Sequence, residues 1–404
     1  VERNTEEANF PVKTKQLPKL PRLGSVFRVL NTDLKLIFAS NLVGAFGDGL
    51  YAYLLPYYVA ETLGANSVEV GILYALTSLT AALTLLVAGA LADKYDRKKI
   101  MIAGWIAWLP APLIFALAKN WVQMIPGMVL WGFWLGGPTS TAYIVTAADE
   151  NQLTLTFTVI SSAWSLGYIF APGVGGYMAG KLGMQTVFFT SFTLYALATV
   201  ILTFIRSQYA KKPENKPEKL STLQLLKTRK LAAVSAFFAA TMFCLTMFRP
   251  FVPKFLADVH GYGDFEIGFL GSVSFAGSAV LGIALGRFGD KYGKRLALAI
   301  MMALSSISLI VMLLTGNLCL LAFALFLIGA SYTTWSIMGA VVGPMAPEHM
   351  RAKWVSIPQT ISMFASILAP YVGGILYGIS PSLLFTVAIA AAAALTLAAL
   401  TQKF

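Results

Sequence analysis

The sequence predicts an all-α membrane protein of twelve transmembrane helices, arranged as two pseudo-symmetric bundles of six. Three observations carry that expectation. Of the 404 residues, 57% are hydrophobic and only 12% charged, about half the roughly 25% charged content of a soluble domain. Apolar runs long enough to cross a bilayer, about 20 residues each, recur twelve times along the chain. Landmarks of the first half return about 197 positions later in the second. This composition excludes disordered, collagen-like and disulfide-scaffold chains and argues against a soluble enzyme.

Taken in order, residues 1–33 are polar and proline-containing, with no apolar stretch of the kind a signal peptide needs. They read as a cytoplasmic tail whose last part, 24–35, can form a short interfacial helix. The first bundle occupies 34–206, with spans at 34–60, 67–92, 99–118, 121–147, 153–180 and 184–205. Connections as short as Lys119-Asn120 force neighbouring spans to run antiparallel. Residues 207–230 are rich in lysine and proline and form a poorly ordered linker. The second bundle occupies 231–404, with spans at 231–257, 265–289, 295–315, 317–344, 354–378 and 381–401. Of the 30 Lys and Arg residues, 26 fall on the side of the termini and linker, and only Lys119 and Lys181 fall opposite. The positive-inside rule therefore places both termini and the linker in the cytoplasm of what reads as a cell membrane. The net charge of +12 is a consequence of topology, so nucleic-acid binding has no support. Cys244 and Cys319 lie in apolar runs and read as small core residues.

The repeat is specific. Span 2 ends Gly89-Ala-Leu-Ala-Asp93-Lys-Tyr-Asp-Arg97-Lys-Lys99, and span 8 ends Gly286-Arg-Phe-Gly-Asp290-Lys-Tyr-Gly-Lys294-Arg295. Span 5 carries Ala171-Pro-Gly-Val-Gly-Gly176 and span 11 carries Ala369-Pro-Tyr-Val-Gly-Gly374. Pro56 matches Pro253, Glu69 matches Glu266 and Gly71 matches Gly268. With these features the chain resembles the major facilitator superfamily over about residues 34–402, and its prokaryotic drug/proton antiporters in particular. The resemblance implies a secondary transporter that works by alternating access. It also implies a gating role for the loop after span 2. Asp93 would reach the start of span 11, and Arg97 would pair with Asp149 or Glu150 at the end of span 4. In the second half, Asp290 and Lys294 or Arg295 would join Glu348. Gly89 and Gly286 permit a close helix approach. Asp96 and Gly293 follow helix ends, where a left-handed backbone is expected. The span 5 segment from Gly167 to Gly176 resembles the antiporter motif, although its echo in span 11 also fits a packing role.

Ionisable groups at membrane depth are functional candidates by default. Asp48 in span 1 and Arg249 in span 7 are the two. The repeat maps Arg249 onto Ala52, one helical turn beyond Asp48, so the two can pair in one conformation. Asp48 can instead be satisfied by Asn41 and the local backbone. A carboxylate at that depth must be neutralised by a proton or a cation, which makes Asp48 and Arg249 the proton-coupling candidates. Asn41, Tyr51, Trp131, Trp134, Trp164, Tyr332, Trp335 and Gln359 suit a large, partly apolar ligand. Lys254 and Asp258 form an i,i+4 pair near the opposite end of span 7. His260 and His349 lie in opposite loops, so no metal site and no cofactor are expected. No catalytic constellation occurs at membrane depth, so the chain is not read as an enzyme. The expected function is proton-coupled export of amphipathic organic compounds by a monomer in contact with lipid. Uptake of a small organic anion, with Arg249 as the anion site, and a non-transporting sensor are the alternatives.

Overall fold

The computed structural model describes residues 29–149, 152–209, 228–346 and 351–401. Among these residues the regular structure is entirely helical. Ten of the expected crossings are long and apolar enough to span a membrane. The other two are spans 1 and 4, and both are interrupted. Span 1 is Thr32–Ala52 followed by Leu55–Glu61, and span 4 is Ile125–Trp131 followed by Gly136–Ala147. Span 3 (Arg97–Trp108, Pro110–Leu117), span 7 (Arg229–Phe248, Phe251–Asp258) and span 10 (Leu318–Ile328, Thr334–Val342) are also jointed. Prolines 56, 110, 126 and 250 sit at or just before the restart of a helix, where the missing N–H is tolerated. Arg249 lies at the joint of span 7, beside Pro250.

The remaining crossings are continuous: Ser67–Lys94, Leu153–Leu182 and Met184–Leu202 in the first half, and Asp264–Tyr292, Lys294–Leu314, Arg351–Ile379 and Pro381–Thr401 in the second. The repeated Ala-Pro-x-x-Gly-Gly segments explain how the halves join. A side chain at Gly175 would strike the Leu50 carbonyl, and one at Gly373 would strike the Met247 carbonyl. Each of these glycines packs on a span of its own half. A side chain at Gly176 would strike the Asp264 carbonyl, and one at Gly374 the Ser67 carbonyl. Those contacts cross between halves. Gly71 against the Pro370 carbonyl and Gly268 against the Pro172 carbonyl complete the set. Every contact has its counterpart in the repeat, so the motif serves helix packing in both halves.

These crossings join spans 2 and 11 and spans 5 and 8 at the end away from the linker. An ion pair closes the same end. Lys254 Nζ lies 3.4 Å from Glu61 Oε1 of the other half and 3.0 Å from Asp258 Oδ2. The Tyr377 hydroxyl donates to Asp258 Oδ2 at 2.7 Å. Toward the linker side spans 5, 8 and 10 part around a crevice of about 850 Å³. Of the cysteines, Cys244 is buried as expected, but Cys319 near the far end of span 10 is exposed.

The glycine crossings generate a direct prediction. Gly374→Leu places a side chain against the Ser67 backbone, which cannot retreat as a flexible side chain can. Spin labels on spans 2 and 11 at the far end should report longer separations than in the parent. An unchanged distance distribution would show that this crossing does not hold the halves together.

Candidate functional site

Asp48 is 3% exposed at the middle of span 1. Four spans converge on its carboxylate. Oδ1 accepts from Tyr51 Oη at 3.1 Å, from Trp131 Nε1 at 2.7 Å and from Tyr195 Oη. Oδ2 accepts from Tyr168 Oη. The Tyr51 and Tyr195 hydroxyls also meet at 2.9 Å. The indole N–H can only donate, whereas each phenol can donate or accept. A proton added to Asp48 can thus be accommodated by turning a tyrosine hydroxyl.

Among the described residues Arg249 donates through Nη2 to Ser331 O at 2.7 Å and to Ser331 Oγ at 2.9 Å. Its guanidinium lies 4.5 Å from the ring centroid of Tyr332. Nε is buried without a partner. The anticipated Asp48–Arg249 pair is therefore not made in this conformation. The residues between them are aromatic. Tyr168 packs on Phe275 at 4.7 Å, and Phe275 stacks on Tyr332 at 5.0 Å between centroids. Asn41 is not a partner of Asp48 either; it lines a separate cavity.

That cavity, about 280 Å³, lies within the first half between spans 1, 3, 4 and 5. Trp105, Trp108, Trp134 and Trp164 form its walls. Trp105 and Trp164 are nearly parallel, 9° apart, with centroids at 6.5 Å. The joint of span 4 shapes the cavity by freeing the Phe133 carbonyl for Trp108 Nε1 and turning Trp134 inward. Of the anticipated ligand residues, Asn41, Trp134 and Trp164 meet here. Tyr51 and Trp131 belong to the Asp48 cluster, and Tyr332 lines the crevice. Trp335 and Gln359 are half-buried and line neither cavity. Sequence reasoning missed Trp105, Trp108, Tyr195 and Ser331. Only the i,i+3 spacing of the two tryptophans on span 3 could have signalled any of them.

A family model described as Major Facilitator Superfamily matches residues 37–263 and 234–403. The chain belongs to the major facilitator superfamily. It is thus a multi-pass membrane transporter and not an enzyme. It is 30% identical over 309 residues to the multidrug resistance protein MdtG of Rahnella sp. (strain Y9602), covering 71% of this chain and 74% of that one. It is 24% identical to the multi-drug resistance efflux pump PmrA homolog of Lactococcus lactis subsp. lactis (strain IL1403), covering 80% and 83%. Among solved structures, the nucleoside transporter NupG superposes with a TM-score of 0.78 at 15% identity, covering 92% of this chain and 100% of that one. A bacterial homologue of the human lysosomal transporter Spinster, in an inward-facing and occupied conformation, gives 0.73 at 17%, covering 92% and 96%.

The superfamily loop signature is built differently in the two halves. Gly293 has the positive φ expected after span 8, at +107°. Asp96 does not follow it, with φ −60° and ψ 115°. Its carboxylate instead caps the next helix, accepting from Lys98 N and Gln208 N at 3.1 Å each. Arg97 is buried, and its Nη1 donates to Ala142 O, Thr146 Oγ1 and Gln208 Oε1. The loop thus grips the first residues after span 6. Asp93 is exposed in this conformation. Asp290 pairs with Lys294 one turn away. Gly286 lines the crevice, and Arg295 stands at the linker-side start of span 9. Gly89 falls within the Ser67–Lys94 helix. Glu150 and Glu348 lie outside the described residues, as do positions 1–28 and 210–227. Among the described residues no three His, Cys, Asp or Glu side chains gather as metal ligands.

Tyr168 supplies the sole hydrogen bond to Asp48 Oδ2 among the described residues. Tyr168→Phe should lower stability in detergent by about 1–3 kcal/mol, the usual penalty for a buried acceptor left unmade. A double-mutant cycle with Asp48→Ala should return an interaction energy of about 1 kcal/mol or more. Additive effects would remove the bond from the account.

Proposed function

We propose that the protein exports amphipathic organic compounds across the cell membrane in exchange for protons, by alternating access. In this reading the termini and the linker are cytoplasmic, as the distribution of Lys and Arg favours. The crevice then opens to the cytoplasm and the glycine crossings close the outside. The aromatic cavity of Trp134, Trp164 and Asn41, together with Tyr332 in the crevice, supplies the surface for an apolar ligand. The relatives named for multidrug resistance support export over uptake.

One observation carries the coupling: Asp48 is a buried acid at membrane depth whose partners among the described residues are phenols and an indole, with no cation. Such a group can be charged or protonated without breaking the cluster apart. Tyr168 gives the change a route outward. It bonds Asp48 through its hydroxyl and touches Phe275 of the other half through its ring. When a proton occupies Oδ2 of Asp48, Tyr168 must accept or let go. Either response reaches the span 5–span 8 boundary, which is the surface that moves. Asp93, Arg97, Asp290 and Lys294, with their loop neighbours, hold the cytoplasmic ends in each state.

The test uses sealed vesicles with an imposed pH gradient. Asp48→Asn keeps the shape of the protonated acid and cannot release a proton. It should abolish gradient-driven accumulation of a fluorescent substrate while leaving equilibrium exchange in place. If the variant still concentrates substrate, Asp48 does not carry the proton.

A further inference from the structure

The tryptophan cavity and the Asp48 carboxylate are joined behind the cavity wall. We propose that Tyr195 of span 6 is the positioning residue that lets the cavity sense the charge on Asp48. A compound that never touches the acid, even an uncharged planar aromatic one, then binds in a proton-linked way. The inference rests on the proton-exchange reading and supplies the link between its ligand and its proton.

Tyr195 is fully buried and does not line the cavity itself. Its hydroxyl donates to Asp48 Oδ1 and meets the Tyr51 hydroxyl at 2.9 Å. Its ring packs on Trp105 with centroids at 5.5 Å and on Trp108 at 6.0 Å. Both indoles are walls of the cavity. Gly44 keeps Trp105 in place, because a side chain there would strike the indole ring. The other carboxylate oxygen reaches the same cavity by a second phenol. Tyr168 donates to Oδ2 and stacks on Trp164 at 6.1 Å. Tyr168 also packs on Phe275 of the second half, whereas the ring contacts of Tyr195 lie within the first.

Among the described residues the cavity is lined by indoles, Asn41 and hydroxyls such as Ser140 and Thr141, with no ionisable side chain. Such a lining suits an uncharged flat body with one polar edge. It also leaves a pH-dependent affinity nowhere to arise within the cavity. Around Asp48 the ionisable groups are the phenols Tyr51, Tyr74, Tyr168 and Tyr195 of spans 1, 2, 5 and 6. Span 4 adds the indole of Trp131. Phenols titrate only near about pH 10. The charged side chains of these spans, from Asp33 and Glu69 to Lys181 and Arg206, stand toward the span ends.

Oδ1 takes three donors, from Tyr51, Trp131 and Tyr195, more than its two lone pairs hold at full strength. Negative charge keeps them together, because bonds to an ionised acceptor are shorter and stronger. Once the acid is neutral, Trp131 can still only donate, whereas Tyr195 can turn its hydroxyl to Tyr51. The phenol then relaxes away from the acid, and its ring shifts against Trp105 and Trp108. A close-packed interior passes such a displacement on. The cavity is present with these bonds made, so the ligand favours the charged acid. Affinity is therefore highest at alkaline pH and falls as Asp48 takes up its proton, and ligand binding releases that proton.

The probe is naphthalene-2-carboxamide, which is flat, uncharged and does not titrate in the range used. Calorimetry on the full chain in detergent follows its binding from about pH 5 to about pH 9, the range open to buried carboxyl groups. The parent should bind it at least about fivefold more tightly at the alkaline end, the lower bound of ordinary coupling between sites. Binding between the two ends should release protons, read as a heat that changes with the ionisation enthalpy of the buffer. Tyr195→Phe keeps the ring on both indoles and removes the hydroxyl. It should bind at every pH as the parent does at the acid end. A merely structural tyrosine would change affinity or stability and leave the ratio between the ends as it was. Asp48→Asn should abolish the ratio too. Where Tyr195→Phe does not fold, Trp108→Phe trims the same contact from the cavity side and should lower the ratio. A parent that fails to bind the probe, or binds it equally at both ends, overturns the proposal. So does Tyr195→Phe, or Trp108→Phe in its place, with the parental ratio. A ratio lost only in Tyr168→Phe gives the role to the other phenol and overturns it as well. Because binding is read without transport, a pH-indifferent affinity beside gradient-driven flux that needs Asp48 would keep proton exchange and remove this link.

Discussion

The closest approaches between the halves are made by backbone. Between helices surrounded by lipid there is no gain from burying apolar side chains away from water, so association depends on how closely the helices approach. The glycines at 176, 374, 71 and 268 allow carbonyl groups of the opposite half to come where a Cβ would otherwise stand. The glycines at 175 and 373 do the same within each half. The halves meet along spans 2 with 11 and 5 with 8. At the glycine positions backbone meets backbone, so few side chains there would have to repack if the halves moved.

That arrangement makes each half responsible for its own buried charge. Asp48 is satisfied within the first half by four groups from four spans. Arg249 is held within the second by Ser331 and Tyr332. Neither depends on the other half for its hydrogen bonds, so the halves can separate without stranding a charge. What joins the two charges is a run of three rings: Tyr168 meets Phe275 at a tilt of 57°, and Phe275 stacks on Tyr332. Parting two rings forfeits only their contact, whereas breaking a buried ion pair is strongly destabilising.

The fold was legible because its signals are collective. Twelve apolar runs, the lysine and arginine distribution and the offset of 197 each draw on many residues. The site was legible mainly where a single residue violated its surroundings. Asp48 and Arg249 stood out as charges in apolar spans, and Tyr51, Trp131 and Tyr332 among their partners stood out as aromatics that suit a ligand. Tyr195 and Ser331 did not, because they are ordinary residues in such helices and the geometry that recruits them is tertiary. The pairing of Asp48 and Arg249 in some other conformation is a matter that helical register leaves open; in this one, aromatic rings lie between them. Asp96 illustrates a further limit. Its position in the repeat matched Gly293, but an acid can cap the following helix and bind Gln208, so it had no need of the backbone that glycine supplies.

In the alternating-access reading proposed above, the walls of the crevice face a constraint of their own. Two conformations can interconvert only if neither is far more stable than the other, so the surfaces that open and close must tolerate both water and protein. A crevice lined with leucine would favour collapse, and one lined with asparagine or glutamine would need new partners each time it closed. Serine and threonine avoid both problems by bonding back to their own helix. Ser162 Oγ reaches Val159 O at 2.7 Å, and Thr333 Oγ1 reaches Ala330 O at 2.7 Å. Their hydrogen bonds travel with the span that carries them. Ser162 and Thr333 can each face solvent in one state and a neighbouring helix in the other without losing that internal bond. The hydroxyl-rich lining between spans 5, 8 and 10 is therefore what a moving boundary requires.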